Sequence, residues 1–423
     1  MAPTNDDPAK TEHVGPNLPP ALWRNRDYLL LWSGQTVSSI GSGVSQLAFP
    51  LLVLALTHSP AQAGIAGALR TLPYFIFTLP GGALIDRWNR KWVMIFCDSG
   101  RALSLASIPV ALALGHLTIA QLYLVSLLEG SLYVFFDLAE TASLPRVVPK
   151  EQLPAAISQN QVAFGITNLL GPPLGGVLYT LGRAVPFLTD ALSYLASVLS
   201  LLFMQTKFQL ERVVAPRRLW TEVVEGIKWM WHQPILRTMA FLNSGWSALG
   251  FGFSLLVIVL AQRQHVAPPF IGGMFAIGGG TGILGAFLAP LLQRRLKYGQ
   301  AIISLWWLYV LAWLLVVVAF TPFALGAVVA FFFLVDSIYN IVQFSYRLAL
   351  IPDEFQGRVN SAFRLISYSL RPVGIALTGA LMQLIGIVPT AVVFAVILAL
   401  LALVASLNAH IRKALPPAQI RTE

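Results

Sequence analysis

Charge is what this 423-residue chain has least of. Only 11% of its residues are Asp, Glu, Lys or Arg, against about 25% in ordinary soluble domains. So few charges cannot cover a water-facing surface, which excludes a secreted enzyme and a disordered scaffold. Cysteine is nearly missing too. Cys97 stands alone, so no intrachain disulfide can form and a disulfide-stapled domain is excluded. The six histidines (13, 58, 116, 232, 265 and 410) fall in expected loops or tails, and no Cys/His metal spacing is present. There is no G-x-x-x-x-G-K-[ST] phosphate loop and no H-E-x-x-H pair. ATP hydrolysis through a P-loop is therefore not expected, and no catalytic constellation marks the chain as an enzyme. A signal peptide is not expected either: the first apolar run, from Tyr28, is too long for one and lacks a small-residue cleavage site.

What the chain has in plenty is apolar surface, with 56% hydrophobic residues and a mean hydropathy of +0.71. A helix that crosses a bilayer needs about 20 apolar residues. Such runs lie at 28–56, 61–84, 92–115, 117–142, 156–180 and 185–205, and again at 235–261, 270–292, 301–320, 323–350, 360–385 and 388–409. Residues 1–21 are polar and Pro-rich and read as a disordered tail. Between the sixth and seventh runs lies a charged linker, 206–234. In it Trp220, Val223, Val224, Ile227, Met230 and Trp231 recur at helical spacing, the pattern of an amphipathic helix on a membrane interface.

The net charge of +10 would suggest nucleic acid in a soluble protein. Here the basic residues fill every second loop: Arg87, Arg90 and Lys91 share one, Arg146 and Lys150 the next, and Arg294, Arg295 and Lys297 a later one. That alternation follows the positive-inside rule. It predicts a multi-pass protein of the inner (plasma) membrane with both termini cytoplasmic, its partners being the lipid bilayer and no nucleic acid.

The two halves resemble each other. Gly81, Arg90 and Lys91 match Gly285, Arg294 and Arg295 at an offset of 204. Val148-Pro149-Lys150-Glu151 resembles Ile351-Pro352-Asp353-Glu354, and Leu170-Gly171-Pro172 resembles Leu370-Arg371-Pro372, at offsets of 203 and 200. Near-equal offsets indicate a tandem repeat. The expected architecture is all-α and polytopic, with twelve transmembrane helices in two pseudo-symmetric six-helix bundles. Its divisions are a tail at 1–21, a first bundle at 22–205, the linker at 206–234, a second bundle at 235–410 and a tail at 411–423.

The strongest local pattern is Gly81-Gly82-Ala83-Leu84-Ile85-Asp86-Arg87-Trp88-Asn89-Arg90-Lys91. Glycines let the end of one span approach another helix, a carboxylate in a tight turn can cap a helix, and the basic cluster suits an anionic leaflet. The pattern resembles the G-x-L-x-D-R-x-G-R-K loop of the major facilitator superfamily, through Gly82, Leu84, Asp86, Arg87, Arg90 and Lys91. Asn89 stands where that family has glycine; Asn also tolerates left-handed backbone. Gly171-Pro172-Pro173-Leu174-Gly175-Gly176 resembles the G-P-x-x-G-G end of the antiporter motif of drug-exporting members, although Thr167 replaces one upstream glycine. Arg70-Thr71-Leu72-Pro73 and Phe135-Phe136-Asp137 through Leu144-Pro145 are similar to the 12-span group that includes macrolide-efflux and enterobactin-export proteins. The basic residue that many proton-coupled exporters carry in their fourth span is absent here, and Arg101 in the third span is its nearest substitute.

The resemblance implies a secondary active transporter that works by alternating access. It implies export of a small amphiphilic molecule (drug, antibiotic or siderophore) in exchange for protons, with no cofactor and as a monomer. Gly82, Asp86, Arg87, Arg90 and Lys91 would gate the conformational switch, and Gly171, Pro172, Gly175 and Gly176 would seal the outer half. An uptake symporter for a small metabolite, and a membrane receptor or enzyme, are the alternatives.

Ionisable residues within the spans mark pairs, pathways or relays. Counting about 1.5 Å per residue puts Arg70 and Glu129 at equal depth, which predicts an ion pair between them. Asp98, Arg101, Asp137 and Glu140 are expected to form a second network nearer the cytoplasm. Asp336 and Arg371 share a depth in the second half, whereas Asp190 reads as a surface partner of Arg183. Glu129, tuned by Arg70, is the expected exchangeable carboxylate. Tyr74, Phe75, Phe77, Tyr133, Phe135, Phe136, Trp246, Phe251 and Phe253 are candidates to line a central cavity.

Overall fold

The structure is a computed structural model that describes residues 22–85, 87–206, 219–412 and 414. The apolar runs form helices because lipid offers the backbone no hydrogen bonds, so each span must satisfy its own. In the first half these are α1 (Arg26–Thr57), α2 (Pro60–Ile85), α3 (Arg90–Ala113), α4 (Ile119–Val147), α5 (Leu153–Leu181) and α6 (Val185–Phe203). Side-chain oxygens of Asn25, Asn89 and Thr118 accept from the first free amides of α1, α3 and α4. The linker forms α7 (Leu219–His232). The second half contains α8 (Pro234–Arg263), α9 (Pro268–Arg295), α10 (Tyr298–Val317), α11 (Pro322–Leu350), α12 (Gln356–Ser369), α13 (Arg371–Ile385), α14 (Ile387–Leu407) and the short α15 (Ala409–Arg412). Among the described residues, 11 helical segments are long and apolar enough to cross a membrane, with Gln356–Ile385 counted as one. α2, of 26 residues, joins them as a long helix packed along α4 and α13.

The eleventh span is the one that departs from its expected form. Instead of one rod over 360–385 it is broken between α12 and α13. Pro372 lacks the N–H that would continue the ladder and disfavours a helical residue before it. The Tyr368 carbonyl that Pro372 leaves free accepts from Leu370 N, and the Ile366 carbonyl accepts from the hydroxyls of Ser244 (3.0 Å) and Ser369 (2.8 Å). In the matching segment of the first half, α5 runs unbroken through Pro172 and Pro173.

Two six-helix bundles result. In the first, α1 lies on α5 and α6, α2 on α4, and α3 on α4 and α6. The second repeats the scheme, with α9 on α11, α8 on α13, and α10 on α11 and α14. The bundles meet where α5 crosses α9 and α2 crosses α13. Glycines make both crossings possible. A Cβ on Gly64 would stand 2.9 Å from the Gly379 Cα, and one on Gly176 would overlap the Pro268 carbonyl. These contacts lie towards the ends of the spans farthest from α7. Nearer α7, a Cβ on Gly165 or Gly280 would meet nothing within 4 Å. The bundles thus meet backbone to backbone at the far face, whereas α5 and α9 leave open space at Gly165 and Gly280 nearer the linker.

The linker helix does not lie free on an interface. It docks on α12, with Trp229 stacked on Phe355 (5.5 Å) and Glu225 paired with Arg358 (3.0 Å). Met230 on its apolar side is fully buried.

Gly374 of α13 shows how little slack the packing has, since a Cβ there would overlap the Ala248 carbonyl of α8. Gly374→Leu should destabilise the purified protein by about 1–3 kcal/mol through overpacking. Gly82→Ala, where nothing lies within 4 Å, should stay within about 0.5 kcal/mol of wild type. Thermal unfolding in detergent checks both.

Candidate functional site

Five ionisable side chains converge inside the first bundle. Arg101 of α3, 4% exposed, reaches Asp98 one turn away (3.5 Å) and places Nε 3.6 Å from Glu129 Oε2 on α4. Arg70 of α2 approaches the same Glu129 oxygen at 3.9 Å. From α6, Tyr194 lies beneath the Arg101 guanidinium, which is 4.0 Å from the ring centroid and also donates to the phenol oxygen. The Tyr194 hydroxyl donates to Glu129 (3.4 Å), and Ser42 of α1 shares a hydrogen bond with it (2.8 Å). Asp190, one turn before Tyr194, completes the group. It is fully buried, and Ser193 donates to its Oδ1 (3.3 Å). The expected Arg70–Glu129 proximity is present, and Ser45, Phe49, Leu105 and Ser126 complete the narrow crevice around the pair.

Other expectations are corrected. The network of Asp98, Arg101, Asp137 and Glu140 is divided. Asp98 and Arg101 join Glu129, whereas Asp137 and Glu140, lower on α4, have no ion-pair partner within 4 Å among the described residues. Depth counted along single helices groups the four, and Glu140 does lie within electrostatic reach of Asp98 and Asp137, but among the described residues no ion pair joins the upper two to the lower two. Asp190 is no surface partner of Arg183, which is exposed while Asp190 is buried against α1. In the second half Asp336 accepts from the Tyr309 hydroxyl (3.0 Å), while the Arg371 guanidinium lies 3.0 Å from the Phe251 ring centroid. Asp336 and Arg371 share a depth without pairing. Of the aromatic candidates, Phe136 and Phe253 are core residues, Phe253 being stacked on Phe332 at 3.9 Å. Tyr74 does face the other bundle: Arg364 donates to its hydroxyl, and Tyr368 packs on its ring at 5.8 Å.

The two motifs occupy structural junctions. In the turn after α2, Asp86 lies outside the described residues. Arg87 is exposed. Arg90 donates to the Ala142 carbonyl of α4 (2.6 Å), and Lys91 donates to the carbonyls of Leu202 (3.3 Å) and Met204 (2.7 Å) at the end of α6. Asn89 is not left-handed: at φ −69° it caps α3 by accepting from Lys91 N (3.1 Å), which gives Asn a use that glycine lacks. In the second motif, a Cβ on Gly171 would stand 2.7 Å from Gly43 Cα of α1. Gly175 abuts Val44, and Gly176 meets Pro268 and Pro269 of α9. Pro172 and Pro173 receive Gly272 from the opposite bundle. The Gly-Pro segment is therefore part of the seam between bundles.

The sequence profile described as Major Facilitator Superfamily matches residues 31–375. The chain belongs to the major facilitator superfamily. It is 27% identical over 404 residues to the multidrug efflux pump Tap of Mycolicibacterium fortuitum, covering 91% of this chain and 96% of that one. To Tap of Mycobacterium tuberculosis it is 25% identical over 380 residues, covering 86% and 88%. Among solved structures, a bacterial homologue of the human lysosomal transporter Spinster, inward-facing and unoccupied, superposes with a TM-score of 0.71 at 14% identity, covering 90% and 96%. A bacterial homologue of the iron transporter ferroportin, also inward-facing, gives 0.69 at 14%, covering 90% and 99%. At these identities the structures attest the fold. The protein is thus a multi-pass membrane transporter of this superfamily, not an enzyme.

In this superfamily member, three parts of the charge layer were missed in the sequence: Tyr194, Ser42 and the burial of Asp190. A signal existed. Asp190, Ser193, Tyr194 and Ser197 recur at helical spacing along otherwise apolar α6, and Ser38, Ser42 and Ser45 do so on α1. Two polar stripes on neighbouring apolar helices must face each other or be exposed to lipid.

Removing Arg101 leaves Asp98 and half of the Glu129 pairing uncompensated. Arg101→Leu should cost about 3–5 kcal/mol. Arg70→Leu should cost less, because the Arg70 side chain is 28% exposed and Glu129 keeps Arg101. Melting temperatures of the two purified variants should fall in that order.

Proposed function

We propose that this protein exports a small amphiphilic molecule, a drug, antibiotic or siderophore, across the inner membrane by alternating access in exchange for protons. The observation that carries the proposal is the seam. The exporter-like Gly-Pro segment of α5 packs against α9 at the face far from the linker, while Gly165 and Gly280, nearer α7, have no neighbour within 4 Å. One face closed by glycine contacts and the other open is what a rocking carrier requires. The basic loops on the linker face favour a cytoplasmic linker and cytoplasmic termini, so the closed face would be the outer one. The efflux pumps among its relatives favour export over uptake.

In this reading Gly82, Asp86, Arg87, Arg90 and Lys91 form the inner gate. Arg90 and Lys91 hold α3 to the ends of α4 and α6, and the gate opens when α2 moves relative to them. Gly171, Pro172, Gly175 and Gly176 form the outer seal. The buried charge layer carries the proton, Tyr74, Arg364 and Tyr368 border the substrate path between bundles, and the monomer is the working unit. Asp137, Glu140, Asp336 and Arg371 supply polar contacts along that path.

Dye and antibiotic accumulation in an exporter-deficient bacterium tests the proposal. Cells expressing the chain should accumulate less than vector controls, and a protonophore should abolish the difference. Asp86→Asn should restore accumulation to the control level. Higher accumulation in expressing cells would indicate uptake instead.

A further inference from the structure

The charge layer holds three carboxylates, Asp98, Glu129 and Asp190, but only two guanidinium groups, Arg70 and Arg101. The pairing is uneven. Glu129 has both arginines within 4 Å, and Asp98 has Arg101. Asp190 has no cation within 4 Å among the described residues, although it is 0% exposed. Its Oδ1 receives the Ser193 hydroxyl (3.3 Å), and its Oδ2 has no hydrogen-bond partner. We propose that Asp190 is the carboxylate that binds and releases the transported proton. This deepens the proton-exchange reading above and rests on it for its physiological meaning.

The surroundings of Asp190 are specific. α1 comes close because residue 41 is glycine; a Cβ there would overlap the Ser193 hydroxyl and stand 2.8 Å from Asp190 Oδ1. From α1 the groups facing Asp190 are uncharged, with Ser45 beside it. The Ser45 hydroxyl is likewise buried and without a partner. From α2, α3 and α4 the charged groups facing it are Arg70, Arg101 and Glu129, with Asp98 one turn from Arg101. From α6 itself comes Tyr194. α5, also against α6, contains no charged residue, and Tyr179 is its one titratable group. An anion at Asp190 has a hydroxyl donor in Ser193 but no guanidinium within 4 Å among the described residues, whereas the neutral acid needs only an acceptor for one O–H. Ser45, the hydroxyl beside Asp190 on α1, can turn to serve either form. Glu129, the carboxylate expected from the sequence to exchange, instead has two guanidinium groups within 4 Å.

Proton release then has a defined mechanical consequence. Binding forms one O–H bond on Asp190 and breaks none elsewhere in the layer. Loss of that proton exposes a bare anion, and Arg70, the more accessible arginine, is drawn from Glu129 towards it. Arg70 lies one turn after Gly67, which packs on Ile375 of α13 in the seam. Its backbone carbonyl lies against Gly130 of α4, leaving no room for a Cβ. A change in the Arg70 partner is therefore transmitted to the stretch of α2 that closes the far face.

Infrared titration of the purified full chain in detergent tests the assignment without needing a substrate. Across about pH 5 to about pH 9, the range that burial opens to a carboxyl group, wild type should show a titrating carboxylic-acid C=O band. Other embedded carboxyls such as Asp137, Glu140 and Asp336 contribute to that band, so the assignment is read from differences. Wild type minus Asp190→Asn should contain a titrating C=O component, and wild type minus Glu129→Gln should contain none. Asp190→Glu should retain a titrating band at altered frequency, which separates loss of the group from loss of the fold. A difference spectrum with no titrating component for Asp190→Asn, or with one for Glu129→Gln, overturns the proposal. Ethidium export from proteoliposomes under an imposed pH gradient tests the export reading separately. No export alongside a titrating Asp190 band would remove that reading and leave the assignment standing.

Discussion

Arg101 is the group on which the first bundle turns. It is a permanent cation inside a stack of apolar helices, where an unpaired charge is costly. Each compensating contact comes from a different place in the chain: Asp98 on α3 itself, Glu129 on α4, Tyr194 on α6 and Ser42 on α1. These contacts fix the rotation and height of four helices at once. Dispersion packing alone leaves such choices open, because Leu against Leu differs little from Leu against lipid. Among the described residues the second bundle has no ion-paired equivalent; its buried Arg347 lies over the Phe363 ring (4.1 Å) instead. Its centre is aromatic, with Trp246, Trp306, Tyr309 and Tyr339 packed together and one carboxylate, Asp336, at the edge. The bundles are alike in topology and unlike in what holds them.

The seam between bundles follows a different rule. It is built from backbone against backbone, at Gly64 with Gly379 and at Gly176 and Gly272 with facing prolines. Such contacts gain dispersion energy without interlocking side chains. A surface of this kind could part without unlocking side chains, whereas the charged layer ties four helices together.

Much of the fold was legible in the chain because lipid imposes a coarse code. The ends of α1, α2, α8 and α9 lie within three residues of the apolar runs, since leaving the bilayer requires polar residues. The tandem offsets likewise pointed to two matching bundles. Site geometry was less legible. Equal depth brought Arg70 and Glu129 together correctly, yet the same count grouped Asp137 with Asp98, because depth along a helix carries no information about rotation. The position of Asp190 near an end of α6 suggested the surface, and only the facing glycine at 41 reveals that α1 covers it. Asn89 shows a subtler limit. It was tolerated as a glycine substitute for its backbone range, but its amide oxygen is what the structure uses.

The break at Leu370 divides labour within one span. α13 is clasped to α2 across the seam, while α12 is clasped to the linker helix through Phe355 and Arg358. A continuous rod would carry any tilt at the seam along its full length and lever the linker with it. With the ladder interrupted, and the Ile366 carbonyl already served by two serines, the joint can bend without opening an unsatisfied group to lipid. The unbroken α5 has no such joint. Were the two bundles to tilt, α5 would carry the tilt as one helix while the other half folded at an elbow.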